Sequence, residues 1–158
     1  PILFVGGVYP VSDNFRPLFL DIVKQKYGSD FYWFGKNNPD EVREEELSTL
    51  INRSRVVLGE SFYWPGYWSN RIYESIGRGG LTIHPYVPGL EEEFEEGEEC
   101  IFFNRWNFED LFSKIDYYLD KANGEERETI IEKGMERVRK DHTLLNRCNQ
   151  IMDILNGF

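Results

Sequence analysis

The stretch SNRIYESIGRGGLTIHPYVPGLEEEF, residues 69 to 94, decides the fold of this chain. Ile72, Tyr73 and Ile76 recur at helical spacing and make a buried side, while Arg71, Glu74, Ser75 and Arg78 share the opposite one. Ser69 stands where a side chain caps the helix, and the glycines after Arg78 stop it. GLTIHP, residues 80 to 85, is then a short apolar run closed by proline, the signature of a strand buried on both faces. A short helix feeding such a strand is the repeating unit of an α/β fold.

The same alternation runs outward in both directions. ILFVGG (2 to 7) reads as a strand and Phe15 to Lys26 as a helix with Phe15, Leu18, Phe19, Ile22 and Val23 on one side. DFYWFG (30 to 35) is a strand, EEELSTLINRS (44 to 54) a helix, RVVLGES (55 to 61) a strand and ECIFFN (99 to 104) a fifth strand. Strands separated by helices require a parallel sheet covered on both faces. Beyond residue 105 the pattern turns helical. Asn107 caps a helix with an apolar stripe through Phe108, Leu111, Phe112, Ile115, Tyr118 and Leu119, a second helix starts near Glu125, and a third places Leu144, Cys148, Ile151 and Leu155 on one face. The stripe predicts that this last helix lies against the domain. EEEFEEGEE (91 to 99) reads as a solvated acidic loop edge.

Composition narrows the function. A chain of 158 residues with 41% hydrophobic content is the size of one domain with a real core. Its net charge of -10 argues against a nucleic-acid partner, because phosphate contacts need a basic surface. No 18-residue apolar run or signal-peptide pattern is present. Cys100 and Cys148 lie far apart without metal-ligand spacing and read as free thiols of a reducing compartment, hence a cytoplasmic location. The opening PILFVGG is a complete strand with nothing ahead of it, the expectation for a piece of something larger. The phosphate loop, the G-x-G-x-x-G fingerprint, the H-E-x-x-H helix and any Asp-x-Asp pair are all missing, so neither a bound metal nor a dinucleotide cofactor is expected.

Two features point to an anion site at the carboxyl edge of the sheet. Gly6 and Gly7 end the first strand there, where backbone N–H groups approach a ligand closely. The helix start at Ser69 to Arg71 aims free amides at the same edge. Glu74, one turn in, suits a ligand with hydroxyls, since two O–H donors of a ribose match two carboxylate oxygens. The alternative is an exposed Glu74 to Arg78 pair at i, i+4.

SNRIYESIGRGG, followed by YVPGLEEEF, by YYL at 117 to 119 and by HTLLNR at 142 to 147, resembles the C-terminal domain of GT-B-fold glycosyltransferases, in the glycosyltransferase-family-1-like form of spore-maturation-type proteins. The resemblance covers nearly the whole chain. It implies a Rossmann-like three-layer α/β domain over residues 1 to 158 that binds a nucleoside-diphosphate sugar without metal, and a separate N-terminal domain for the acceptor. It also implies that this half alone is weak or inactive in transfer. Donor-binding residues carried over are Gly6, Gly7, Ser69, Asn70, Arg71 and Glu74, with Glu74 on the ribose and the glycines near the phosphates; no catalytic residue is assigned. Many retaining members carry a second glutamate eight positions before the ribose one, where this chain has Gly66. His142 reads as a packing residue and Thr143 as the cap of the final helix. The rival readings are a degenerate binding or interaction module of the same fold and a small receiver or flavodoxin-type domain, which would want acidic residues at the first strand end.

Overall fold

A computed structural model describes residues 1–7, 14–35 and 42–157. Five strands form one parallel sheet: β1 (Ile2–Val5), β2 (Phe31–Phe34), β3 (Val56–Leu58), β4 (Thr82–Pro85) and β5 (Ile101–Phe103), in the order β2-β1-β3-β4-β5. Ile2 pairs with Phe31 on one side and Val56 on the other, and Ile83 with Ile101, so the register carries straight across the sheet. The helices are α1 (Phe15–Tyr27), α2 (Glu44–Arg53), α3 (Arg71–Gly77), α4 (Leu90–Glu93), α5 (Phe108–Leu119), α6 (Gly124–Asp141) and α7 (Leu144–Asn156). The protein is a Rossmann-like α/β domain with a helical C-terminal segment.

Alternation of side chains along each strand sorts the core into layers. Ile2, Phe4, Leu58, Ile83 and Phe103 meet Phe15, Phe19 and Val23 of α1 and Leu111 and Ile115 of α5. On the other face Leu3 and Val57 meet Ile51 of α2, and Phe102 meets Ile72 and Ile76 of α3. α6 joins the layers, with Ile130 in the first and Val138 against the α3 cluster. Among the described residues no helix is long and apolar enough to cross a membrane.

Two expectations need correction. The acidic run from residue 91 is not wholly a solvated edge: α4 buries Leu90 and Phe94 follows it into the core. Glu93 lies half-buried, accepting from the Tyr73 hydroxyl at 2.7 Å and from Arg147 at 3.1 Å. Ser69 does act as a cap of α3: its hydroxyl accepts from the Arg71 N–H at 3.4 Å, while Asn70, already helical in its backbone, makes no side-chain capping bond. Finally, α7 does not lie against the domain. None of its residues is buried, and Leu144 and Leu155 are 85% and 63% exposed. A periodic stripe states that a helix has an apolar side, not which surface meets it. This one is held through polar contacts of its first turn: the Thr143–Asn146 capping box, Arg147 on Glu93 and Asn146 on the Lys140 carbonyl at 2.9 Å. Thr143 is therefore the cap. His142 sits between the rings of Tyr73 and Phe94, at centroid distances of 5.0 and 5.1 Å.

α6 crosses α3 at Gly134, where an added Cβ would stand 2.5 Å from the Glu99 carbonyl oxygen and 2.8 Å from Ile76. Alanine in place of a helical glycine ordinarily gains about 1 kcal/mol. Gly134→Ala is expected to lose about 1 to 2 kcal/mol net, because overpacking outweighs that gain. Urea unfolding measures it.

Candidate functional site

A cleft of about 350 Å³ opens at the carboxyl ends of β1 and β3. This is the switch point of the 2-1-3-4-5 sheet, where the chain departs from β1 toward opposite sides and leaves a crevice. Gly6 and Gly7 form its floor, Arg71, Glu74, Ser75 and Arg78 of the α3 segment one wall, and Arg43, Glu44 and Leu47 the other. Four of the six residues singled out in the sequence thus come together: Gly6, Gly7, Arg71 and Glu74. Ser69 and Asn70 stand outside the lining.

Gly6 is held tightly. Its N–H donates to the Phe34 carbonyl at 2.7 Å and its carbonyl accepts from the Trp33 indole at 2.7 Å. The Arg71 guanidinium lies over it so closely that any side chain at Gly6 would collide with it. The exposed-pair alternative for Glu74 is not what forms. Arg78 donates instead to the Glu44 carbonyl at 3.2 Å and to the Ser48 hydroxyl. Among the described residues Glu74 makes no hydrogen bond or ion pair through its carboxylate, which stays open to the cleft. The lining is charged in both senses, with Arg43, Arg71 and Arg78 set against Glu44, Glu60 and Glu74.

A buried cluster that the sequence reading missed shapes this edge. Glu60, next after Gly59 at the end of β3, has almost no access to water and pairs with Arg16 of α1. Arg105, after β5, approaches the same carboxylate at 3.6 Å, donates to the Ser61 carbonyl at 3.0 Å and lies 4.0 Å from the centre of the Phe15 ring. Arg16 also donates to the Gly7 carbonyl at 2.8 Å. A lone glutamate at the end of an apolar strand, in LGES, was the available signal.

Beside it, His84 joins β4 to the loop before α3. The Pro85 carbonyl can only accept, so His84 Nδ1 carries the proton that reaches it at 2.7 Å. Nε2 then accepts from the Ser61 hydroxyl at 3.0 Å, and that hydroxyl accepts from the Ser69 amide at 2.8 Å. The chain of bonds fixes where α3 begins. Burial disfavours the imidazolium, with the nearby Arg105 charge adding to it, and His84 titrates at about 4. Among the described residues no three His, Cys, Asp or Glu side chains gather as a metal site requires.

Residues 16–153 match the family described as glycosyl transferase-like. The chain belongs to that family. Among curated proteins nothing matches. Solved structures share the fold: a glycosyltransferase from Rickettsia africae (17% identity, TM-score 0.71, covering 98% of this chain and 46% of that one) and the Anabaena HepE protein in complex with UDP-glucose (15%, 0.71, 99% and 40%). Sucrose-phosphate synthase from Thermosynechococcus elongatus is a third (21%, 0.71, 98% and 37%). The chain spans less than half the length of each. This family domain therefore has the Rossmann-like fold that the resemblance implied.

Two outcomes test the buried cluster. Glu60→Gln keeps the shape but removes the charge between Arg16 and Arg105, and is expected to cost about 3 to 5 kcal/mol of unfolding free energy. For His84 the folded value lies below the ordinary 6.5, so between pH 6.5 and 4 the unfolded chain binds the proton more readily. Stability contributed by neutral His84 is full above pH 6.5 and lost as pH falls toward 4, on the order of 3 kcal/mol. The difference between wild type and His84→Gln in urea titrations across that window isolates it.

Proposed function

We propose that this domain is the nucleotide-sugar donor-binding half of a two-domain glycosyltransferase, with the acceptor held by a separate N-terminal domain. The observation that carries the reading is the pairing, in one switch-point cleft, of the Arg71 guanidinium over the Gly6 turn with the open Glu74 carboxylate one helical turn on. The guanidinium and the Gly7 N–H suit a diphosphate, since they place positive potential and a donor where negative charge gathers as the sugar leaves, while the Gly6 N–H is spent on the Phe34 carbonyl and Gly6 serves by leaving room. Arg78 and Arg43 add positive potential that Glu44 of the same lining partly offsets, and Arg71 with the Gly7 N–H takes the diphosphate without a metal ion. Glu74 accepts from two ribose hydroxyls. Ser69 and Asn70 act through the backbone, by setting the start of α3. UDP in the HepE complex is the natural first ligand to try.

A second reading, a domain that keeps the fold and binds without turnover, is favoured by Gly66. It sits in the left-handed region at φ +74° with open space around it. Backbone strain, not lack of room, opposes a glutamate there. The sugar-contacting carboxylate of the resemblance is not restored at that position by a simple exchange.

Half a cleft supplies half the contacts. UDP is expected to bind this chain with a dissociation constant from roughly tens of micromolar to millimolar, about 4 to 6 kcal/mol, with chelator making no difference, and transfer by the domain alone should not reach an enzymatic rate. Glu74→Gln replaces one acceptor oxygen with a donor and is expected to weaken UDP by about 1 to 3 kcal/mol while leaving stability within about 0.5 kcal/mol. Titration calorimetry with urea unfolding as control checks both. Wild-type affinity in Glu74→Gln overturns the ribose assignment, and a strict magnesium requirement overturns the metal-free one.

A further inference from the structure

The loop SFYWPGYWSN, residues 61 to 70, carries no charged side chain in a chain that is 29% charged. It leaves the cleft at Glu60 and returns to it at Arg71, two residues of the lining. Between them Tyr63, Trp64 and Tyr67 are exposed, Trp64 by 65%. Exposed aromatic surface at this density marks a binding site more often than it decorates a surface.

The rings are presented on a fixed backbone. Tyr67 N–H donates to the Trp64 carbonyl at 2.9 Å, closing a tight turn, and Gly66 N–H donates to the Pro88 carbonyl at 2.9 Å. At the base of the loop the Trp68 indole donates to the Tyr73 hydroxyl at 2.7 Å, tying the loop to α3. The Tyr63 ring lies 5.8 Å from the Arg105 guanidinium beneath it. Tyrosine and tryptophan held in this way offer large contact area with little rotamer entropy left to lose.

We propose that Tyr63, Trp64 and Tyr67 form a stacking platform for neutral carbohydrate, receiving the outer pyranose rings of an oligosaccharide acceptor whose reacting end is held by the N-terminal domain across the cleft. The proposal rests on the donor reading above. A pyranose presents a face of C–H groups that packs on an aromatic face, and its hydroxyl rim meets tyrosine O–H and indole N–H donors at the edge. A neutral ligand fits because the loop offers no charge to match an ionic one, and the acidic chain repels an anionic glycan. The loop itself carries no arginine, the residue that joins tryptophan and tyrosine in the hot spots of protein interfaces.

The test is titration of the chain, labelled with nitrogen-15, with cellohexaose, maltohexaose and chitohexaose, each to about 10 mM. Indole N–H signals are assigned by single Trp variants. Expected is a saturable shift of the Trp64 indole with at least one oligosaccharide, weakened about tenfold or more in Trp64→Ala and in Tyr67→Ala, with UDP affinity by calorimetry unchanged within about twofold. A native-like spectrum of each variant shows that it folds. No shift with any of the three overturns the proposal, as does undiminished binding in Trp64→Ala. A concentration-dependent dimer abolished by Trp64→Ala also overturns it and names a second copy as the occupant. UDP binding without an oligosaccharide response defeats the platform alone. An oligosaccharide response without UDP binding supports the platform and defeats the donor reading.

Discussion

Glu60 is a carboxylate with almost no water around it, and its charge has to be met by protein. Arg16 comes from α1, Arg105 from the turn after β5, and both converge on it at the end of β3. Three segments far apart in sequence are therefore bound at one point on the carboxyl edge of the sheet. From there the constraint spreads. Arg16 also holds the Gly7 carbonyl, Arg105 holds the Ser61 carbonyl, and Ser61 passes the restraint to the Ser69 amide just ahead of α3. The floor of the cleft and the start of its wall are both fixed from this one buried charge.

The cleft itself follows from that arrangement. With Gly6 pinned between the Phe34 carbonyl and the Trp33 indole, only a residue without a side chain leaves space for the Arg71 guanidinium above it. Arg78 is drawn away to α2, which leaves Glu74 without a partner on its own helix. A cation and an open carboxylate thus stand one helical turn apart without cancelling each other, the arrangement that lets one wall address an anionic group and a hydroxylated one together.

Much of this was legible in the sequence because it is periodic. The helix at Arg71–Gly77 and the strand at Thr82–Pro85 follow from apolar spacing and glycine punctuation, and so does the division of α3 into a buried side at Ile72 and Ile76 and a polar side at Arg71 and Glu74. Asn107 and Thr143 announced their caps by residue type. What stayed hidden has no period. Glu60, Arg16 and Arg105 are single residues whose meeting depends on the order of the strands, and His84 within an apolar strand gives no sign that it will find Ser61. Ser69 caps α3 as its residue type announced, but the bond from its own amide to Ser61 is tertiary and no local pattern shows it. α7 misled, its stripe being real and its partner surface absent among the described residues.

The polar first turn of α7 sets a gradient along that helix. Its opening residues share bonds with Glu93, His142 and Lys140, while among the described residues nothing outside the helix bonds those beyond Arg147. Thirteen residues are close to the length at which a lone helix is marginal in water. The amide protons of Asn146 and Arg147, held by the Thr143 hydroxyl and carbonyl, should exchange with solvent more slowly than those near Asn156, with protection decaying along the helix while the sheet exchanges only on global opening. The helix therefore adds little to the cooperativity of the fold it follows, and its apolar side is free to be ordered by whatever meets it.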